Sequence, residues 1–367
     1  MTIGDPALQS RPLLTVDLAA IADNWRALAK LAAPAEAAAV VKANAYGLGV
    51  DRVAPALWAA GARTFFVALP REGAQLRGIL GPAAVIYVFN GFMPADTEIY
   101  AANDLRPVLN SHHQINALQA ALHAMHDKPK VGLHIESGIN RLGLTPDDLD
   151  RLRIDRAPGL EITLVMSHLA MADEPSNGMN TRQRGAFSGR SALLRAVAPG
   201  ARMSLSATGG TLLGAPFHFD LVRPGVGLYG GAPFAAARRV VTLEAPLLQV
   251  RSVPAGGAVG YGATWTARRD SRLGVLPIGY ADGFFRTSKG AKTFLRGRPA
   301  PVVGRVSMDM ITVDLTDHPD AQPGMMLEIL GPHQSVDQLA ACAGTIGYEV
   351  LTALGARFAR RYTDADA

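Results

Sequence analysis

Alternation of short β-like runs with helical patterns is the feature that most constrains this chain. Eight apolar runs, most separated by amphipathic stretches, occupy residues 39–43, 64–69, 84–89, 106–110, 131–136, 162–168, 202–207 and 220–229. Eight βα units in roughly 220 residues predict a closed (β/α)₈ barrel. A doubly wound open sheet is the alternative. The absence of G-x-G-x-x-G after the first run weakens its dinucleotide-binding form.

The chain changes character after residue 234. Runs rich in β-branched residues, separated by Gly and Pro, occupy 238–253, 297–315 and 324–331, and a long helical pattern returns only at 338–362. We therefore predict a (β/α)₈ barrel followed by a mainly β C-terminal domain. The predicted ranges are 12–234 for the barrel and 235–367 for the β domain, with residues 1–11 as candidates to join its sheet.

Charge and cysteine content exclude several classes of function. The formal charge is +5, but the arginines are scattered and the densest group is only 357–362, which favours a solvated basic surface over nucleic-acid binding. The single cysteine, Cys342, permits neither an internal disulfide nor a cysteine zinc site, and we predict no metal. No apolar run of about 18 residues and no leader pattern is present, which predicts a cytoplasmic protein without a membrane partner.

Lys42 is the one lysine placed within an apolar, strand-like run, "AAAVVKANAYGLG" at 37–49, in a chain with six lysines and thirty arginines. Such a lysine can simply pack its stem and extend its ammonium to solvent. Alternatively, burial lowers the pKa of the amine and makes it a nucleophile that forms Schiff bases. Active sites of barrels lie at the carboxyl ends of the strands, and Lys42 lies at such an end, which favours the second interpretation.

Polar side chains also follow the later strands of the predicted barrel, namely His134, Arg141, Ser167, His168, Ser206, Thr208 and Arg223. Each of these residues alone is weak evidence for an active site, since a histidine after an apolar run is more often structural than catalytic. Together they place imidazole, guanidinium, hydroxyl and amine groups around one barrel mouth. This convergence suits an anionic cofactor.

Several motifs in one order give the chain a resemblance to a known family. They are "VVKANAYGLG" (40–49), "NRLGL" (140–144), "MSHLAMADE" (166–174), "DLVRPGVGLYG" (220–230), "VGYGATW" (259–265), "PIGYADG" (277–283), "GRVSMDM" (304–310) and "IGYEVLTAL" (346–354). In these stretches the chain resembles the alanine racemases, fold-type III enzymes that use pyridoxal 5′-phosphate. The resemblance implies an isomerase that interconverts L-alanine and D-alanine with two bases, supplying D-alanine for the cell wall or degrading it.

The resemblance also implies which residues act on the substrate. Lys42 would hold the cofactor covalently and handle the proton of D-alanine, and Tyr261 would handle that of L-alanine. Arg141 would face the substrate carboxylate and, as a nearby cation, help the phenol act as a base. Met308 would offer its backbone N–H to the same carboxylate. Without the resemblance, Tyr261 would be interpreted as a turn aromatic between two glycines.

The cofactor would be held by a second set of residues under the same resemblance. Arg223 would face the pyridine nitrogen, and because guanidinium stays protonated it would donate and leave that nitrogen unprotonated. His168 would lie against the ring and hydrogen-bond to Arg223. The phosphate would be bound by Gly225, Val226, Tyr46, Tyr348 and Thr208, with Ser206 as the alternative hydroxyl.

In the family each site is shared between two subunits. Tyr261, Tyr280 and Met308 would come from the neighbouring β domain, with Tyr280 narrowing the entrance and Asp309 shaping the loop. The protein would then be a head-to-tail homodimer with two sites. The main departure is His134, which replaces a lysine that in many members carries a carbamate positioning the arginine. A neutral imidazole, chloride or another acid would then orient Arg141.

Three other functions are compatible with the sequence. One is a racemase for serine or another amino acid, or a decarboxylase of the same fold. Such decarboxylases use a cysteine near the position of Tyr261, whereas Cys342 lies in a helical pattern. A second is a non-catalytic pyridoxal-phosphate carrier, which has only a barrel. A third, a basic nucleic-acid binder, predicts a steep dependence of DNA affinity on salt.

Overall fold

The computed structural model describes residues 11–124, 128–195 and 197–364, so residues 1–10 and 365–367 of the predicted β domain lie outside the described residues. The first helix begins where the sequence supplies a cap, because the Asp17 side chain accepts a hydrogen bond from the N–H of Ala20 at 2.8 Å. The helices are α1 (Leu18–Ala32), α2 (Lys42–Tyr46), α3 (Val50–Ala60), α4 (Pro70–Leu80), α5 (Thr97–Asn103), α6 (His112–Ala120), α7 (Pro146–Asp155), α8 (Gly178–Leu194), α9 (Thr208–Leu212), α10 (Val336–Ala343) and α11 (Gly347–Ala353).

A parallel sheet forms the first half of the chain. After the N-terminal strand β1 (Leu13–Asp17), its strands are β2 (Glu36–Ala37), β3 (Ala39–Val40), β4 (Thr64–Val67), β5 (Val85–Val88), β6 (Arg106–Leu109), β7 (Lys130–His134), β8 (Glu161–Met166), β9 (Arg202–Ser204) and β10 (Leu221–Val222). Strands β3 to β9 pair in sequence order, and β10 pairs with β2.

Backbone hydrogen bonds on both sides of β10 close this sheet. Arg223 N donates to Ser206 O at 2.8 Å on one side, and Val40 N donates to Pro224 O at 3.0 Å on the other. An open sheet would leave both of these edges unpaired. The predicted barrel is therefore confirmed, and the open-sheet alternative is wrong.

Two of the predicted strands continue as turns, where the sequence pattern indicated a strand. The run 39–43 is a strand only to Val40, because a left-handed turn begins after Lys42. The run 220–229 contains the short β10 and then a 3₁₀ turn at Val226–Tyr229. Apolar content alone does not distinguish a buried turn from a buried strand.

The second half of the chain is mainly β, as predicted. Its strands are β11 (Val241–Pro246), β12 (Gln249–Val253), β13 (Ala258–Val259), β14 (Trp265–Thr266), β15 (Ser271–Leu276), β16 (Lys292–Leu295), β17 (Arg298–Val303), β18 (Ile311–Asp314), β19 (Met326–Leu330) and β20 (Ala359–Thr363). Nine strands form one sheet in the order β12-β15-β18-β17-β16-β19-β11-β1-β20, and β13 and β14 pair separately.

Strand β1 ties the start of the chain to this second sheet. It runs antiparallel to β11 and parallel to β20, with Leu14 opposite Leu243 and Arg360. The barrel and the β domain share one continuous set of buried apolar residues. None of the helices in the described ranges combines the length and apolar character needed to cross a membrane.

Candidate active site

A cavity of about 500 Å³ opens at the carboxyl ends of the barrel strands. It brings together ten of the residues predicted from the sequence: Lys42, Tyr46, His134, Arg141, His168, Thr208, Arg223, Gly225, Val226 and Tyr348. Its lining includes three cationic side chains and no carboxylate among the described residues. Such a cavity is suited to a ligand with several negative charges.

Lys42 is carried by a backbone turn that ordinary side chains rarely adopt. The four residues that follow, Ala43 to Tyr46, all have positive φ angles between 53° and 55°. Each left-handed residue that is not glycine costs roughly 1–2 kcal/mol, so the surrounding structure must hold the turn in place. It does so through two side-chain hydrogen bonds: Asn44 Oδ1 accepts from the nearby Val50 N, and Glu72 Oε1, from α4, accepts from Ala43 N.

The amine of Lys42 is half-buried, and its Nζ lies 5.8 Å from the centre of the Phe89 ring. Burial lowers its pKa, the positive charge of Arg141 lowers it further, and the carboxylate of Glu72 partly opposes both effects. A lowered pKa enlarges the fraction of free amine at neutral pH. That free amine is the form that attacks a carbonyl carbon or accepts a proton.

Arg223 is buried almost completely, with 1% of its surface exposed, and it has no acidic partner in the described part of the chain. Its guanidinium donates to the Ser204 hydroxyl and to the carbonyl oxygens of Ser167, at 2.6 Å, and Leu205, at 3.4 Å. These acceptors take the place of the hydrogen bond to His168 that the resemblance implied. Burial lowers the pKa of Arg223 to about 9, so the group still carries its charge at neutral pH.

Two histidines face the cavity in the neutral form. Burial, followed by the charges of Arg223 and Arg141, lowers the pKa of His134 to about 4. The same causes lower the pKa of His168 to about 3, with smaller contributions from His134 and Lys42. Burial, reinforced by the cations of the cavity, therefore keeps both imidazoles uncharged, and both remain able to accept hydrogen bonds.

The loop after β10 forms a cradle against α9. Thr208 Oγ1 accepts hydrogen bonds from Gly225 N at 3.1 Å and Gly227 N at 3.2 Å. A Cβ atom at Gly225 would collide with the hydroxyl of Tyr46, so only glycine lets the backbone approach this phenol. Gly225, Val226 and the hydroxyls of Thr208 and Tyr46 thus meet at one end of the cavity.

Phenol groups complete that end of the cavity. The ring of Tyr46 stacks on Tyr229 with centroids 4.6 Å apart, and the ring of Tyr348, from α11 of the β domain, lies 6.1 Å from Tyr46. Burial raises the pKa of both cavity-lining phenols, that of Tyr348 to about 12 with help from nearby carboxylates. Both therefore keep their protons and can donate to an anion.

Ser206, the alternative hydroxyl, does not line the cavity. Its side chain is fully buried, and its hydroxyl donates to Phe217 O at 2.7 Å. The structure thus places Thr208, not Ser206, beside the cradle.

Four predicted site residues lie outside the cavity, on the β domain. Tyr261, Tyr280 and Met308 are 69%, 43% and 53% exposed. Tyr280 and Met308 are held together, because Tyr280 N donates to Ser307 O and Ala281 N donates to Met308 O.

Asp309, the fourth of these residues, lies in the loop that carries Met308. Its carboxylate pairs at 2.6 Å with Arg357, which also pairs with Asp282. This ion network joins the loop around Met308 to the turn that carries Tyr280.

Sequence reasoning missed several groups that shape the site. Glu72 holds the left-handed turn, Ser204 accepts from Arg223, and Asn110 pairs with His134 at 2.8 Å. Asn110 ends the fourth predicted strand, so the rule that selected the polar strand ends could have found it. Glu72 lies in the first turn of α4, and no motif singles it out.

Comparison with known proteins assigns the chain to a family over nearly its whole length. The model of the alanine racemase N-terminal domain matches residues 16–233, and the model of the C-terminal domain matches residues 240–362. The alanine racemase of Cereibacter sphaeroides is 49% identical over 356 residues, which cover 95% of this chain and 97% of the relative. A match to both domains is not expected of a barrel-only carrier.

Solved structures agree with the sequence matches. The alanine racemase from Bartonella henselae with covalently bound pyridoxal phosphate is 38% identical, with a TM-score of 0.90 over 96% of this chain and 100% of that one. The biosynthetic alanine racemase from Pseudomonas aeruginosa is also 38% identical, with a TM-score of 0.88 over 96% of this chain and 99% of that one. The chain is an isomerase that belongs to the alanine racemase family.

Proposed function

We propose that this chain binds pyridoxal 5′-phosphate in the barrel cavity, covalently on Lys42, and interconverts L-alanine and D-alanine between Lys42 and Tyr261. The observation that carries the proposal is the lining of the cavity, which offers three cations and no carboxylate among the described residues. A phosphate dianion and a substrate carboxylate are ligands that such a lining would balance. When bound, the cofactor supplies the electron sink that makes the α-hydrogen of an amino acid acidic enough to leave.

The phosphate fits the cradle end of the cavity. Val226 offers its backbone there, and Thr208, Tyr46 and Tyr348 offer hydroxyl groups. The N–H of Gly225, which the resemblance assigned to the phosphate, donates to Thr208 instead. The phenols of Tyr46 and Tyr348 keep their protons because burial raises the pKa of both. The charge of Arg223 has no carboxylate partner in the described ranges, and its guanidinium is suited to donate to a ring nitrogen.

Lys42 would hold the cofactor and would also serve as one of the two bases. As a free amine, its lowered pKa would keep it able to accept the α-proton of D-alanine. The left-handed turn that follows Lys42 is held by Glu72 and Asn44, which anchors the backbone that carries the amine. Arg141, on the lining of the same cavity, would bind the substrate carboxylate.

The second base requires a second subunit. Tyr261, Tyr280 and Met308 are exposed on the β domain and do not line the cavity of their own chain. We infer a head-to-tail homodimer in which these residues complete the partner's site, so that each dimer has two shared sites. In this division, the barrel supplies most of the groups that hold the cofactor, Tyr348 of the same chain's β domain adds a phenol, and the partner's β domain delivers the second base. The predicted barrel range of 12–234 shortens at its start, because strand β1 belongs to the sheet of the β domain.

The reducing character of the cytoplasm suits a chain whose one cysteine, Cys342, is free. We therefore propose that the reaction takes place there, on free alanine. Serine and larger amino acids are the alternative substrates to compare with alanine in the same assay.

Loss of optical rotation by L-alanine on addition of the purified protein with pyridoxal phosphate tests the function. We expect complete loss with alanine and slower loss with serine. Unchanged rotation of L-alanine in the presence of bound cofactor would contradict the proposal. Faster loss with serine would assign the same chemistry to a different substrate.

A further inference from the structure

His134 carries a buried nitrogen without a partner. The side chain is 4% exposed, its Nδ1 lies 2.8 Å from Asn110 Oδ1, and its Nε2 has no hydrogen-bond partner among the described residues. The imidazole also lines the cavity. A buried polar atom left unpaired is costly unless a ligand or a moving side chain supplies its partner.

The identity of the neighbouring groups fixes the tautomer of this imidazole. Asn110 donates through its Nδ2 to the carbonyl oxygens of Phe89 at 2.9 Å and Val108 at 2.8 Å. Its amide is therefore oriented with Oδ1 towards His134, and an amide oxygen only accepts. Nδ1 of His134 must carry the hydrogen, so Nε2 presents a lone pair to the cavity. The neutral state follows from burial and two nearby arginines, which lower the pKa of His134 to about 4.

The loop after β7 carries Arg141, which lines the same cavity as His134. Leu144 N donates to His134 O at 2.7 Å, and Glu136 N donates to Leu144 O at 3.1 Å, so the loop between them folds back onto the strand end. Arg141 is exposed, and no carboxylate of the described chain lies within 4.0 Å of its guanidinium. Arg223, the other nearby cation, already donates to three acceptors, and the proposed function assigns its remaining donors to the ring nitrogen of the cofactor.

We propose that Asn110 and His134 form an uncharged pair that positions Arg141. Asn110 holds the imidazole with its lone pair outward, and Nε2 accepts a hydrogen bond from the guanidinium when the substrate carboxylate draws Arg141 into the cavity. The inference rests on the proposed function, since Arg141 acts there on substrate. A neutral imidazole then stands where many family members have a lysine, and it orients Arg141 without chloride or an acid.

The physical consequence is a site without a bound anion beside the arginine. A lone pair repels chloride and carboxylate alike, so neither group is favoured next to Nε2. A carbamate cannot persist on an imidazole. The full positive charge of Arg141 then acts on the substrate carboxylate, because no neighbouring anion offsets it.

The tautomer is tested directly by ¹⁵N NMR of the holoenzyme labelled in histidine, with His134→Gln to assign the signals. We expect His134 to show a protonated Nδ1 and an unprotonated Nε2. A protonated Nε2 would overturn the proposal, because that atom could then accept nothing from Arg141. This readout does not depend on turnover.

Kinetics test the positioning role. Asn110→Leu frees the imidazole, and we expect the KM for L-alanine to rise about 10-fold while kcat changes less than about 3-fold, as for one lost hydrogen bond to a charged group. Gln334→Leu is the matched control, since Gln334 is a buried amide that also bridges two carbonyls, those of Lys292 and Ile329. An equal change in KM in both variants would overturn the proposal. Weakened cofactor binding in Asn110→Leu at unchanged KM would also overturn it, because His134 would then be positioning Arg223 and not Arg141.

Dependence on anions gives the final test. We expect wild-type activity to be the same with and without chloride and bicarbonate, and His134→Lys to gain activity with bicarbonate as its amine takes up carbon dioxide. Wild-type activity that requires either anion would overturn the proposal. Failure of the proposed function is distinguishable from this, because wild-type protein would then not racemise alanine under any of these conditions.

Discussion

Replacing Thr208 by valine removes a single hydroxyl oxygen on which two buried backbone groups depend. That oxygen accepts from Gly225 N at 3.1 Å and from Gly227 N at 3.2 Å, and Thr208 is 1% exposed. Valine has nearly the same shape, so packing changes little. Each buried donor left without an acceptor costs roughly 1–3 kcal/mol, so we expect the free energy of unfolding to fall by about 2–6 kcal/mol.

The control lies one turn further along the same helix. Thr211 is also buried, but its hydroxyl only donates, to Ala207 O, which also accepts from Thr211 N. Thr211→Val therefore leaves no backbone group unpaired, and we expect a loss below about 1 kcal/mol. Thr208→Ser keeps the oxygen and should retain most of the stability.

Urea unfolding of the three variants, with and without pyridoxal phosphate, measures these differences. The loosened cradle in Thr208→Val should also weaken cofactor binding at least about 10-fold, or roughly 1.4 kcal/mol. If Thr208→Val and Thr211→Val lose equal stability and bind the cofactor equally well, the cradle does not depend on this hydroxyl and the reasoning is refuted.

Three further perturbations test other parts of the site. Tyr261→Phe should slow exchange of the α-hydrogen of L-alanine with solvent by about 10²-fold or more, measured by NMR in D₂O, and unchanged exchange would remove Tyr261 from its role. Arg357→Gln should raise the KM for alanine roughly 3- to 10-fold, because the loops carrying Tyr280 and Met308 lose their ion network. It should also lower the melting temperature, because the buried carboxylate of Asp282 loses its cation; an unchanged KM would contradict the role of the network. The free energy of unfolding should also fall as the pH decreases from about 7 to about 5. The native pKa values of His134 and His168 are about 4 and 3, below the ordinary 6.5 of histidine. The unfolded chain therefore takes up protons at a higher pH than the native protein does. The slope of the urea midpoint against pH should be smaller in His134→Gln, and an equal slope would show that His134 does not contribute.

Much of the architecture could be predicted because buried strands and half-buried helices have characteristic patterns of apolar residues in the sequence. Parallel strands covered on both faces are apolar throughout, and the polar residues that follow them converge at one end of the barrel. This pattern predicts that Lys42, His168 and Arg223 lie at one end of the barrel, and all three line the cavity there. It also extends to Asn110, which ends its strand in the same way.

The rest could not be predicted because it depends on contacts between distant residues. The turn after Lys42 is left-handed through four residues that are not glycine, and it is held by Glu72 from another helix. Local propensity disfavours that turn, so the apolar run by itself indicates a strand. The tautomer of His134 likewise depends on how an amide from the neighbouring strand is oriented by two carbonyls.

The covalent attachment of the cofactor to Lys42 is the central claim, and reduction with borohydride tests it most directly. We expect the reduced holoenzyme to yield, after digestion, a single peptide containing residue 42 with the mass of pyridoxal phosphate added to the lysine. Lys42→Ala should give no modified peptide at stoichiometric amount. Attachment of the cofactor at another lysine, or full labelling of Lys42→Ala, would contradict the account.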